Sequence, residues 1–248
     1  MISRHFDIET PDGKCDCFSA VPGDGRAYPV AIVLMDAFGP RKYLYALCET
    51  LAARGYFVLL PNLFYRMRRA PVIDALFPLK KEDMSAARAQ LTPLFSTYDP
   101  ESGVRDIGVF LEYLATETQA RPGKIGLSGY CMGGGIAVRA AARYSDRVAA
   151  AAGFHSGRLV TDAPSSAHLL LSSVKARLYF GFADADESMP LEQIAAFEKA
   201  LRESGVKYES EVYAGAAHGY TMADLPAYNA SALEKHWRKL FELFHDEL

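Results

Sequence analysis

Cysteine is scarce in this sequence. Cys15, Cys17, Cys48 and Cys131 are the only four among 248 residues. That is too few for a disulfide scaffold at this length. Long apolar runs are missing as well. The longest, such as Val30-Ala-Ile-Val-Leu-Met35, are of strand length, well short of the ~18 residues a membrane helix needs. No excess of basic charge is present, since 27 Lys and Arg against 30 Asp and Glu leave a net charge of -3. This argues against a nucleic-acid footprint and against attraction to anionic membranes. The N-terminal segment Met1-Ile-Ser-Arg-His-Phe-Asp7 has no apolar core of the kind a secretory signal requires. The expected compartment is the cytoplasm, where thiols stay reduced.

What is present is the composition of a globular protein, 50% hydrophobic and 23% charged. A chain this long buries roughly 70–75% of its unfolded surface, enough for a substantial core. Strand and helix patterns alternate along it. Residues 2–7 and 15–20 alternate in polarity around the turn Pro11-Asp12-Gly13 and predict an N-terminal antiparallel hairpin. Residues 29–35 and 57–60 are continuous apolar runs, the mark of buried parallel strands. Helical spacing over 43–54 stops at Gly55. Residues 66–100 hold Arg66, Arg68 and Arg69 and three prolines, and predict short helices in a long excursion from the sheet. An amphipathic helix is expected over 101–118, and a small-residue helix over 132–144. Further strands are expected at 124–128, 147–154, 177–183 and 207–213, with helices at 190–204 and about 226–244. The expected fold class is therefore α/β, a mostly parallel sheet with helices on both faces and an N-terminal antiparallel hairpin. Residues 1–248 are expected to form one domain.

The sharpest local feature is Gly126-Leu-Ser-Gly-Tyr-Cys-Met-Gly-Gly-Gly135, between a predicted strand and a predicted helix. Gly129-Tyr130-Cys131-Met132-Gly133 has the form G-x-C-x-G, the cysteine version of the nucleophile elbow G-x-S-x-G. A nucleophile there sits on a tight turn with unfavourable dihedrals, and the flanking glycines remove side chains that would clash. The helix N-terminus that follows favours thiolate and oxyanion alike. The glycines do not keep the G-x-G-x-x-G register of a dinucleotide site, and no Lys-Ser or Lys-Thr follows for a phosphate loop.

A cysteine nucleophile needs a base and an orienting acid, which in this fold follow in the order acid, then histidine. His218, in Tyr213-Ala-Gly-Ala-Ala-His-Gly-Tyr220, lies just after a predicted strand and is the expected base. His155 also follows a strand and could line the pocket, while His168 lies in a polar stretch. His236 and His245 are expected to be solvated on the last helix. The acid is expected after the strand 177–183, where Asp184, Asp186 and Glu187 compete. Asp186 is favoured for its distance ahead of Pro190, Asp184 stays open, and Glu187 reads as a helix N-terminal charge. Cys15-x-Cys17 reads as structural, and no metal cluster and no cofactor are expected.

At these motifs the sequence resembles the dienelactone hydrolase family of α/β-hydrolases. The matching segments are Ile32-Val-Leu-Met-Asp-Ala-Phe-Gly39, Gly55-Tyr-Phe-Val-Leu-Leu-Pro-Asn-Leu-Phe-Tyr65, the elbow, the acid loop and Gly215-Ala-Ala-His-Gly219. The resemblance implies a triad of Cys131, His218 and Asp186. It implies an oxyanion hole formed by the backbone N–H groups of Ala37 and Met132, with Asp36, in place of the family's glutamate, modulating the nucleophile. The family's carboxylate-gripping arginines correspond to Met222, which breaks the pattern, and to Arg88, a candidate substrate contact. The expected function is a cysteine-dependent hydrolase of activated esters or lactones, acting through a thioester acyl-enzyme. The alternatives are a general carboxylesterase or thioesterase on the same triad, or a binding or redox-sensing protein on the hydrolase fold. The expected partner is a small ester or lactone, with no nucleic acid and no membrane, in a monomer or small homo-oligomer.

Overall fold

The computed structural model describes residues 1–248. The chain forms two compact units, Met1–Gly123 and Lys124–Leu248. No helix is long and apolar enough to cross a membrane.

In the first unit, β1 (Ile2–Thr10) and β2 (Gly13–Val21) form the expected hairpin, paired antiparallel from Ile2 with Val21 to Thr10 with Gly13. Gly13 closes the turn at φ 128°, a region that side chains avoid. The strands β3 (Val30–Leu34) and β4 (Phe57–Pro61) are buried at every position and pair in parallel. β4 also pairs antiparallel with β2, which gives the order β1-β2-β4-β3. The helix α1 (Lys42–Ala52) buries Leu44, Leu47, Cys48 and Leu51, and the chain leaves it through Gly55 at φ 92°. Cys15 and Cys17 point into the core of β2 as free thiols, their sulfurs 3.7 Å apart.

The stretch 66–100 differs from the expectation of short helices only. After a 3₁₀ turn at Lys81–Asp83 comes α2 (Met84–Thr97), a 14-residue helix that runs through Pro93. The three arginines that open the stretch bind aspartates. Arg66 makes a two-pronged pair with the buried Asp106, at 2.7 and 2.8 Å, and also reaches Asp12. Arg68 pairs with Asp74 and Arg69 with Asp7. Exposed pairs of this kind contribute little each, but Asp106 ties the excursion to the helix α3 (Pro100–Thr116). Asp99 caps α3 by accepting from the N–H groups of Glu101 and Ser102, a contact worth about 1 kcal/mol.

In the second unit, β5 (Ile125–Tyr130), β6 (Val148–Phe154), β7 (Arg177–Ala185) and β8 (Tyr208–Ala217) pair in parallel in that order. α4 (Met132–Arg143) packs on β5 and β6. A 3₁₀ segment at Ala167–Ser173, which the sequence pattern did not reveal, packs against α4 and against α5 (Leu191–Ser204). α5 ends at Gly205 in the left-handed region, φ 72°. The closing helix α6 begins later than expected, at Ala230, where Asn229 caps it, and runs to Glu247. One expectation is overturned here. His236 is not solvated but fully buried, on the stripe of α6 that also carries Ala232, Leu240, Leu243 and Phe244.

Candidate active site

Four parallel strands end on one edge of the second unit, and each is followed at once by a residue with titratable or nucleophilic chemistry. Cys131 follows β5, His155 follows β6, Asp186 follows β7 and His218 follows β8. Parallel strands place all their C-terminal ends together, which is where α/β folds build their sites.

Cys131 is the single residue between β5 and α4. Its φ of 55° and ψ of −116° are unfavourable for any side chain larger than hydrogen, at about 1–3 kcal/mol. The surroundings hold it there. Its N–H donates to the Phe154 carbonyl at 3.1 Å, and its own carbonyl accepts from the Gly134 N–H at 3.2 Å. The turn is so tight that a Cβ on Gly129 would lie 2.2 Å from the Gly133 carbonyl oxygen. The first amides of α4, beginning with Met132, open toward the same point, where an N-terminal helix dipole favours negative charge.

His218 bridges the other two groups. Its Nδ1 lies 2.6 Å from Asp186 Oδ2 and its Nε2 lies 3.1 Å from Cys131 Sγ. An ionised carboxylate only accepts, so Nδ1 carries the proton and Nε2 is the nitrogen that faces sulfur. The other oxygen of Asp186 accepts from the Ser188 N–H at 2.8 Å and from its hydroxyl at 2.6 Å. Burial opposes ionisation of Asp186, but the His218 and Ser188 donors outweigh it and hold the carboxyl below its usual range. Burial likewise pulls the His218 imidazole down. The negative charge of Cys131 and the Asp186 hydrogen bond overcome that and raise it to about 10. The site therefore stabilises positive charge on the His218 ring.

Asp184 does something else. It is exposed, and its carboxylate accepts the N–H of Gly215 at 2.7 Å. Gly215 has φ 70°, so Asp184 fixes an irregularity late in β8. Glu187 is exposed and lies ahead of α5, whose first-turn acid is Glu192, so the expectation of a helix N-terminal charge at Glu187 is corrected. Ser188 was not singled out from the sequence. The available signal was the Asp-x-Ser spacing, which lets a carboxylate take the backbone N–H two residues on.

His155 is 1% exposed, and its Nε2 lies 2.7 Å from Thr221 Oγ1. His168 bonds the Ser166 hydroxyl. His236 bonds Tyr130 OH at 2.9 Å, and burial lowers it to about 3, so it is neutral. Met222 is fully buried.

Asp36, Ala37 and Arg88 belong to the first unit. Asp36 is buried and paired two-pronged with Arg41, at 2.7 and 2.9 Å, and it also accepts the Phe38 N–H. Arg41 in turn lies over the rings of Phe38 and Phe77. Ala37 is buried in the turn closed by Gly39 N–H on the Asp36 carbonyl. Arg88 is exposed on α2. No three His, Cys, Asp or Glu side chains converge in a way that could hold a metal ion.

The sequence profile of the dienelactone hydrolase family matches residues 16–248. A candidate carboxymethylenebutenolidase of Methylorubrum extorquens is 25% identical over 249 aligned positions, covering 98% of this chain and 81% of the relative. The carboxymethylenebutenolidase of Pseudomonas putida is 28% identical over 150 residues, 59% of each chain. The crystal structure of a candidate dienelactone hydrolase from Klebsiella pneumoniae superposes with a TM-score of 0.86 at 19% identity, over 98% of both chains. That likeness shows the fold, which is that of the α/β-hydrolases.

Proposed function

The chain belongs to the dienelactone hydrolase family and is a carboxylic ester hydrolase; on that premise we propose that it cleaves activated esters or lactones through a triad of Cys131, His218 and Asp186. The observation that carries this reading is the position of His218, with one ring nitrogen 2.6 Å from a buried carboxylate and the other 3.1 Å from the elbow thiol.

His218 Nε2 takes the proton of Cys131, and the sulfur attacks the substrate carbonyl carbon. The carbonyl electron pair moves to oxygen, which accepts from the Met132 N–H in this reading. An oxyanion donor of this kind contributes about 3 kcal/mol. The intermediate collapses by breaking the bond to the leaving oxygen, which takes the proton from His218. Water then gives a proton to Nε2 and attacks the thioester carbon, releasing the acid and restoring the thiol. Asp186 keeps Nδ1 protonated throughout, so that Nε2 is always the working nitrogen.

A sulfur nucleophile departs from the tetrahedral intermediate more readily than an alkoxide does. The forward path therefore requires a good leaving group, as in enol esters, enol lactones and aryl esters. Met222 offers no cation to a substrate carboxylate, so neutral members of that class are favoured. A panel of enol lactones, aryl esters, alkyl esters and acyl-thioesters tests this. The expected order of kcat/KM places enol and aryl leaving groups first, with loss of turnover in Cys131→Ala. Unchanged turnover in Cys131→Ala would overturn the reading.

A further inference from the structure

The residue that follows β6 has no part in the chemistry above, yet it touches the framework of all three triad members. His155 is buried and holds a φ of 39°, a conformation that side chains rarely adopt. Phe154, immediately before it, accepts the N–H of Cys131 at 3.1 Å. The N–H of His155 donates to the Gly181 carbonyl at 2.9 Å, on the strand that leads to Asp186. Its Nε2 lies 2.7 Å from Thr221 Oγ1, in the turn that follows His218. Its ring meets the His218 ring edge to face, with centroids 5.4 Å apart and planes at 70°. Tyr220 packs against His155 in the same manner at 5.1 Å and donates its hydroxyl to the same Gly181 carbonyl.

Resting on the hydrolase reading, we propose that His155 is the positioning residue of the base, fixing the plane of the His218 imidazole so that Nε2 stays on the Cys131 sulfur. The hydrogen bond from Nδ1 to Asp186 holds one corner of the ring but leaves it free to pivot about that bond. The ring torsion of histidine is broad, so the torsion itself does not prevent this. One side of His218 is open, with its side chain 34% exposed, and the His155 ring backs it within the protein. A misplacement of about 1 Å at a reacting atom can cost about a hundredfold in rate. The left-handed backbone at His155 aims its ring at His218 while its N–H stays on β7. Strain held in place by several contacts from different elements is the pattern of a functional position.

The test uses the full chain with p-nitrophenyl acetate turnover and the pH profile of iodoacetamide alkylation of Cys131. His155→Asn keeps a residue that tolerates positive φ but removes the ring. The expected result is a fall in kcat of about 10–100-fold with KM little changed. The alkylation profile should change with it, because the His218 ring no longer stays on the sulfur. His155→Phe restores an edge-to-face ring and should recover most of the loss. Thr221→Val leaves the His155 backbone untouched and should shift kcat and the alkylation profile in the same direction by less. If His155→Asn or Thr221→Val lowers only the melting temperature and leaves kcat and the alkylation profile unchanged, the proposal is overturned. His218→Asn separates the two levels, since retention of turnover there would overturn the hydrolase reading itself.

Discussion

Nδ1 of His218 stands 2.6 Å from Oδ2 of Asp186, the closest approach of any acidic group to that ring in the second unit. Asp184 gives its carboxylate instead to the Gly215 N–H. The two aspartates should therefore separate cleanly on substitution. Asp186→Asn should lower kcat/KM by about 10³–10⁴, because the amide no longer selects the working tautomer. Asp184→Asn should stay within a few-fold of the parent. Steady-state kinetics on an aryl ester checks both.

The pKa of His218, raised to about 10 from 6.5, depends on the charge of Cys131 as well as on Asp186. Cys131→Ser removes that negative charge, so the imidazole should titrate at lower pH in the variant. NMR titration of the ring protons reads this directly. The same shift has a stability consequence. A histidine raised above its unfolded value contributes stability that is complete below pH 6.5 and lost as pH rises through about 10. The stability advantage of the parent over His218→Asn in urea should accordingly be largest near pH 6 and shrink on the alkaline side.

His236 works in the opposite sense. Burial lowers it to about 3, so the unfolded chain binds a proton that the folded chain refuses between pH 6.5 and 3. Stability is then lost as pH falls below 6.5, by about 3 kcal/mol at pH 4. His236→Gln should flatten this acid limb while keeping an amide able to bond Tyr130. Urea melts of both proteins between pH 7 and pH 4 give the comparison.

The elbow glycines should respond unequally to a methyl group. On Gly129 it would meet the Gly133 carbonyl oxygen at 2.2 Å and the Gly134 nitrogen at 2.5 Å, both rigid backbone. Gly129→Ala should cost about 3 kcal/mol or more and remove turnover. On Gly135 the nearest atom is the flexible tip of Arg139 at 3.1 Å. There alanine in a helix is worth about 1 kcal/mol over glycine, so Gly135→Ala should be neutral or stabilising. Thermal melts and residual activity distinguish the two.

What was legible in the sequence was whatever local chemistry determines. Pro11-Asp12-Gly13 marks the hairpin, and the unbroken apolar runs of β3 and β4 mark buried parallel strands, as observed. Cys131 stands out because glycines lie two residues to either side of it, and His218 because it follows a strand. Spacing ahead of Pro190 favours Asp186 but leaves Asp184 open, since the choice depends on which carboxylate the fold turns inward. As a polar residue in a charged helix His236 reads as solvated, but it is buried. Its position four residues after Ala232 and four before Leu240 put it on the buried stripe, a periodicity that was available in the sequence. The run of α2 through Pro93 and the 3₁₀ segment at Ala167–Ser173 rest on tertiary packing and had no comparable local signal. Nor did the Asp36–Arg41 pair, which joins a strand end to a helix start.

The central claim is that Cys131 forms a covalent acyl-enzyme. Rapid-quench mass spectrometry of the intact protein after mixing with p-nitrophenyl acetate tests it most directly. The account predicts a transient mass increase of one acetyl group, mapped to the peptide carrying Cys131, decaying at the turnover rate and absent in Cys131→Ala. Turnover at the parent rate with no acetyl on Cys131, or an acetyl group that forms equally in Cys131→Ala, would contradict it.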